Sequence, residues 1–208
     1  MTIDADAVLW SAPEAERADR PLLVLLHGVG SHEGDLFGLT PHLPTEPVIA
    51  SLRAPLRYGG GYAWFPMPEE AADADRWQAA RDSVAGVLEW LDAQNFSSVG
   101  LLGFSQGAAM SFDLLRAAPA RFSYAVPLSG FVIPEPHDGD AELARLRPPV
   151  FWGRGDADPL FTEERLAHTH EWVPQHTTAT VRVYPGLGHS VSEQEIGDIA
   201  AFIQAQLG

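Results

Sequence analysis

Leu22 to Leu26 is a run of five aliphatic residues with no polar interruption, and similar runs recur at Val48–Leu52, Val99–Phe104, Tyr124–Leu128, Val150–Trp152 and Val181–Tyr184. A strand wetted on one side alternates apolar with polar residues. A run that is apolar at nearly every position fits a strand covered on both faces, the environment of a parallel sheet. The stretches between the runs carry helical spacing. From Asp75 to Ala93 the residues Trp77, Ala80, Val84, Val87, Leu88 and Leu91 fall on one stripe, leaving Arg76, Arg81, Asp82, Glu89 and Asp92 for water. The last segment opens with Ser192 and Glu195 at capping-box spacing, then places Ile196, Ile199, Ile203 and Leu207 on one face. Strands alternating with helices predict an α/β fold: a mostly parallel central sheet, right-handed crossovers and helices on both faces. At 208 residues, 46% of them hydrophobic, the chain suits one such domain over residues 1–208, and no linker or internal repeat divides it.

Charge and composition exclude several classes of function. The net charge is −15 and all 13 basic residues are arginine, so nucleic acid and anionic membrane surfaces are repelled. With no cysteine, disulfides, thiolate metal sites and cysteine nucleophiles are out of reach. The opening MTIDADAVLW lacks the basic and then apolar stretches of a signal peptide. No apolar run approaches the ~20 residues of a membrane span. The expectation is a soluble, cytoplasmic protein without stable membrane insertion; the charge neither requires nor forbids a homodimer.

Chemistry concentrates where the third of these runs ends. LLGFSQGAA, residues 101–109, carries an apolar strand into Gly103-Phe104-Ser105-Gln106-Gly107 and on into a helix-prone stretch. A tight strand-to-helix turn forces neighbouring chains so close that Gly103 and Gly107 must lack side chains, and it lifts the Ser105 hydroxyl into the open. The helix N-terminus behind it points backbone N–H groups at whatever that oxygen attacks. A serine hydroxyl needs a base to take its proton and an acid to orient the base. Of the eight histidines, His189 follows a strand and a Pro-Gly-Leu-Gly loop just before the last helix, at a carboxyl edge of the sheet. His168, His170 and His176 lack a completing carboxylate pattern and read as solvated, so no metal site is expected. The acid lies in Gly153-Arg154-Gly155-Asp156-Ala157-Asp158-Pro159. Asp158, before the proline, is the choice; Asp156 suits turn capping, and geometry could reverse the two. The chain order Ser105, Asp158, His189 is that of α/β-hydrolases.

A second oxyanion donor is expected in the loop after Leu26, where His27-Gly28-Val29-Gly30 follows directly. The Val29 N–H pairs with that of Gln106, and His27 braces the loop by hydrogen bonding. A dinucleotide fingerprint on Gly28, Gly30 and Gly34 fails on spacing, since three residues rather than two separate Gly30 from Gly34. Tyr62, Trp64 and Phe65, following three glycines, are candidates for an aromatic wall near the serine, with Leu56, Phe131 and Leu160 as further pocket candidates.

LLHGVG, LRAPLRYGGGYAWF, GFSQGA, PLSGF, GDADP and PGLGH together resemble the phospholipase/carboxylesterase group of small α/β-hydrolases, which includes the acyl-protein thioesterases. The resemblance runs over nearly the whole chain. It implies a nearly lidless serine esterase, often dimeric, that cleaves small-molecule carboxylic esters or thioesters with no metal or organic cofactor. It also implies Asp158 as the acid and Val29 as the second amide. After Trp64-Phe65 the chain reads Met-Pro-Glu-Glu, where the group commonly carries a Tyr-Asp or related polar pair, so the acyl pocket departs there. The alternative is a binding protein that keeps the fold without turnover, which the intact set of three residues argues against.

Overall fold

The computed structural model describes residues 1–207. Its sheet has seven strands: β1 (Leu9–Trp10), β2 (Pro21–Leu26), β3 (Val48–Leu52), β6 (Ser98–Phe104), β7 (Tyr124–Leu128), β8 (Pro149–Gly155) and β9 (Thr178–Tyr184). They lie in the order β1-β3-β2-β6-β7-β8-β9, parallel throughout except for β1, which runs antiparallel to β3. β4 (Leu56–Tyr58) and β5 (Gly61–Ala63) form a separate hairpin inside the region that reads as irregular in the sequence. From β2 the chain first goes outward to β3 and then returns to add β6 on the other side. This reversal places a topological switch point between the C-terminal ends of β2 and β6, where Leu26 stands beside Gly103.

The run of leucines in β2 divides by parity. Leu22, Val24 and Leu26 join one core, while Leu23 and Leu25 join the other, and all five are fully buried. Against the first face pack α2 (Asp73–Asp92), α3 (Gln106–Ala117), α4 (Asp140–Leu146) and α5 (Glu163–His176), through Trp77, Phe112, Leu143 and Val173 among others. Against the second lie the single-turn α1 (Gly34–Phe37) and α6 (Glu193–Gln206), through Leu36, Ile199 and Ile203. Covering helices on both sides are what uninterrupted apolar strands demand. Among the described residues no helix is long and apolar enough to cross a membrane.

Two elements differ from the sequence reading. The run Val181–Tyr184 in β9 reads as covered on both faces, yet Val181 and Val183 are 38% and 43% exposed, because β9 is the last strand of the sheet and only β8 flanks it. The capping box on α6 is half formed. Ser192 Oγ accepts the Glu195 N–H at 3.1 Å, but the Glu195 carboxyl does not reach back. It is fully buried against Gly153 of β8, and neither of its oxygens has a hydrogen-bond partner among the described residues.

Candidate active site

The turn from β6 into α3 is built by exclusion. A Cβ on Gly103 would overlap the Gly107 carbonyl, and one on Gly107 would overlap the carbonyls of Leu26 and His27. Ser105 itself is held at φ 56°, a conformation that L-residues rarely adopt, with its N–H donating to the Leu128 carbonyl of β7 at 2.8 Å. The strain is spent on exposure: the hydroxyl projects above the C-terminal edge of the sheet, at the switch point.

His189 arrives on the loop between β9 and α6. Its Nε2 lies 2.8 Å from Ser105 Oγ, and its Nδ1 lies 2.6 Å from Asp158 Oδ2. With Nδ1–H donating to the carboxylate, Nε2 is left as the acceptor that a serine proton requires. The Asp158 side chain is 1% exposed and the His189 ring 21%. The two aspartates of the loop after β8 divide their work. Asp158 Oδ2 meets the histidine and Oδ1 accepts the Leu160 N–H at 3.0 Å, whereas Asp156 Oδ1 accepts the Gly186 N–H at 2.6 Å and ties down the loop that carries His189. The Phe104 ring, with its centroid 4.9 Å from that of His189, supports the imidazole from below.

Two backbone amides face the same opening. Val29 N–H donates to nothing among the described residues, and Gln106 N–H is the first of α3, where a helix offers no acceptor. Both residues line the cavity in front of Ser105. The loop that holds Val29 is braced as a unit. Buried His27 accepts the Ala54 N–H on Nε2 at 3.1 Å, so its Nδ1–H donates to the Gly28 carbonyl at 2.8 Å, and burial lowers its pKa and keeps the ring neutral. The β4–β5 hairpin straps the far side, with Gly30 N–H donating to Tyr62 O and Tyr62 N–H to Ser31 O, each at 2.8 Å.

The cavity itself measures about 150 Å³ and is walled by Phe65, Met67, Pro68, Phe131, Leu160 and Phe161, with Arg76, Arg165 and Ser129 also reaching it. Of the six pocket candidates from the sequence, Phe65, Phe131 and Leu160 are here and the other three are elsewhere. Trp64 is fully buried in the core, where its indole N–H donates to the His27 carbonyl at 2.9 Å. Tyr62 turns away in the hairpin to sit under the guanidinium of Arg53, 4.8 Å from its ring centroid. Leu56 lines a different depression, beside Arg57 and Ala71. Trp64 and Phe65 lie in the bend that follows β5, which turns the indole into the core and the phenyl ring toward the cavity.

Sequence reasoning missed Met67, Pro68, Arg76, Ser129, Phe161 and Arg165. Met67 and Pro68 fall where the loop departs from the group's usual polar pair, which was a signal; Arg165 carries none, since it reads as one more charge on the wet side of a helix. The side chain of Gln106 was missed as well. Its Oε1 accepts the Trp64 N–H and its Nε2 donates to the Phe65 carbonyl, both at 2.7 Å, clamping the cavity wall to the start of α3. Of the histidines expected to be solvated, only His170 is exposed; His176 stacks on Trp172 with ring centroids 4.1 Å apart, and His168 Nε2 is buried without a partner. The reason is that α5 turns this face toward the sheet.

A family model for phospholipase/carboxylesterase matches residues 11–207. Acyl-protein thioesterase 1 of Debaryomyces hansenii is 30% identical over 177 residues, covering 78% of this chain and 73% of the relative. Carboxylesterase SOBER1 of Arabidopsis thaliana is 25% identical, with 90% of this chain and 91% of the relative covered. In three dimensions the chain is similar to the crystal structures of esterase PE8 (TM-score 0.78, 22% identity, 99% of each chain) and of the Bacillus cereus carboxylesterase (TM-score 0.77, 20% identity, 96% of this chain and 93% of the other). Sheet order, elbow serine and family match agree, and the chain belongs to the phospholipase/carboxylesterase family of α/β-hydrolases.

Proposed function

We propose that the chain is a serine esterase that cleaves carboxylic esters or thioesters through an acyl-enzyme, with Ser105 as nucleophile, His189 as base and Asp158 as its orienting acid. The observation that carries this reading is the unbroken row Ser105 Oγ, His189 Nε2, His189 Nδ1, Asp158 Oδ2, with links of 2.8 and 2.6 Å.

In the first half-reaction His189 Nε2 takes the hydroxyl proton as Oγ adds to the substrate carbonyl carbon. The new oxyanion settles against the N–H groups of Val29 and Gln106, which need not reorganise to receive it. The proton on Nε2 passes to the leaving oxygen or sulfur, the bond to carbon breaks, and the acyl group stays on Ser105. In the second half-reaction His189 deprotonates a water, which adds to the acyl carbon; the carboxylic acid departs and the proton returns to Oγ. Asp158 holds the ring in the tautomer with Nε2 free and stabilises the transient imidazolium.

Labelling with a fluorophosphonate tests the assignment. The folded protein should acquire one adduct, on Ser105, and Ser105→Ala should lose both the adduct and hydrolysis of a short p-nitrophenyl ester. An unlabelled protein, or undiminished turnover in the variant, would refute it. A panel of acyl esters beside matched thioesters then decides the leaving atom, and chain-length preference reports cavity depth, because each methylene in an apolar pocket is worth about 1–3 kcal/mol.

A further inference from the structure

Two arginines reach the largely apolar cavity in front of Ser105. Arg76, on α2, is 3% exposed; its Nε donates to the Pro66 carbonyl at 3.0 Å and its Nη1 meets the exposed Asp73 carboxylate at 2.6 Å, while Nη2 has no partner among the described residues. Arg165, on α5, makes no side-chain hydrogen bond and no ion pair among the described residues, and its guanidinium lies over the Phe131 ring, 4.6 Å from the centroid. Burial lowers the pKa of Arg165 and the charge of Arg76 lowers it further, against the raising influence of Asp73 and Glu164. Arginine nonetheless remains charged.

A half-buried guanidinium without a carboxylate partner, lining the same cavity as a second arginine, is costly in water-poor surroundings, and an anion that enters the cavity relieves that cost. Away from Ser105, Gln106, Ser129 and His189 the other walls are apolar, so the cavity favours a short hydrocarbon chain that ends in negative charge. Its 150 Å³ hold about five groups of the size of water, the reach of some four methylenes and a terminal carboxylate.

We propose that Arg76 and Arg165 form an anion subsite in this cavity, so that the ester cleaved here carries a carboxylate or comparable anionic group on the chain that fills it. This inference rests on the esterase reading above and refines its substrate class. The overall charge of −15 repels such a substrate at long range, so selection operates at contact, through the arginine forks, and not through steering.

The test compares kcat/KM for matched pairs: monomethyl adipate against methyl hexanoate, with the charge on the acyl side, and the acetate ester of δ-hydroxyvalerate against pentyl acetate, with the charge on the alcohol side. In the wild-type chain one anionic member should exceed its neutral partner by about tenfold or more, and which pair does so tells which side of the scissile bond occupies the cavity. Arg165→Gln should reduce that ratio by about tenfold, and Arg165→Lys should restore part of it. Neutral esters preferred in both pairs by the wild type would overturn the proposal, as would a ratio indifferent to Arg165→Gln. Both outcomes presuppose turnover of the neutral esters. Loss of all hydrolysis, or no fluorophosphonate adduct, would instead strike the esterase reading itself.

Discussion

Replacing Glu195 with glutamine should raise stability relative to the wild type progressively as pH rises from acid to alkaline. The carboxyl lies fully buried beside Gly153, without a partner for either oxygen among the described residues, and the Asp198 carboxylate stands one turn away on α6. Burial first, and Asp198 after it, push its pKa up to about 7 from an ordinary 4.5, against the lowering influence of the Ser192 backbone. Between those two values the folded chain holds a proton that the unfolded chain has released. Stability therefore falls as pH rises through this window, by about 1.4 kcal/mol per pH unit, and levels off above it. Integrated from pH 5 to pH 8, the loss is about 2.5 kcal/mol for this one group. Glutamine carries no titrating proton, and whatever its amide costs in the same dry spot is independent of pH. The difference in unfolding free energy between variant and wild type should thus grow by about 2.5 kcal/mol across that range, while contributions from every other carboxylate and histidine cancel. Urea denaturation at half-unit pH intervals measures it. A difference that stays flat within about 0.5 kcal/mol would show that Glu195 is solvated or paired in solution, and the reasoning from its burial would be wrong.

Other perturbations probe the site. Asp158→Asn should lower kcat about a thousandfold or more, because the amide can present its N–H to the histidine and select the wrong tautomer, whereas Asp156→Asn should keep most of the activity and lose about 1 kcal/mol from the Gly186 anchor; steady-state kinetics and thermal melts on both variants separate these roles, and the reverse ranking would exchange them. Gly107→Ala drives a methyl into the Leu26 and His27 carbonyls and should destabilise the chain by at least about 3 kcal/mol, read as a loss of melting temperature or of soluble protein. Gln106→Ala leaves the Trp64 N–H and the Phe65 carbonyl without partners and should cost about 2–5 kcal/mol of stability, with a fall in kcat for esters.

The fold was legible because burial on both faces leaves a simple mark. Uninterrupted apolar residues at Leu22–Leu26 and Tyr124–Leu128 can only belong to covered strands, and their bounds are nearly those of β2 and β7. β1 left no such mark: two residues, Leu9 and Trp10, are too few for any period to show. The row of Ser105, Asp158 and His189 was legible for a different reason. Each lies directly after a strand or in its loop, and parallel strands deliver all their C-terminal ends to one edge, so the three share that edge. Pocket walls obey no such rule. Whether Trp64 or Phe65 faces the cavity depends on the rotation of a short irregular segment, and Arg165 reaches it from a helix whose register on the sheet is set by packing at Trp172 and Val173.

In the proposed mechanism Gln106 joins two functions. Its backbone amide would receive the reacting oxygen, and its side chain grips the strip that bears Phe65. A substrate that presses outward on that strip pulls, through one residue, on the group meant to receive its developing charge, and a poor fit is therefore felt at the barrier as well as in affinity. Selection among acyl groups then becomes visible in turnover even at saturating substrate, which binding alone could never produce.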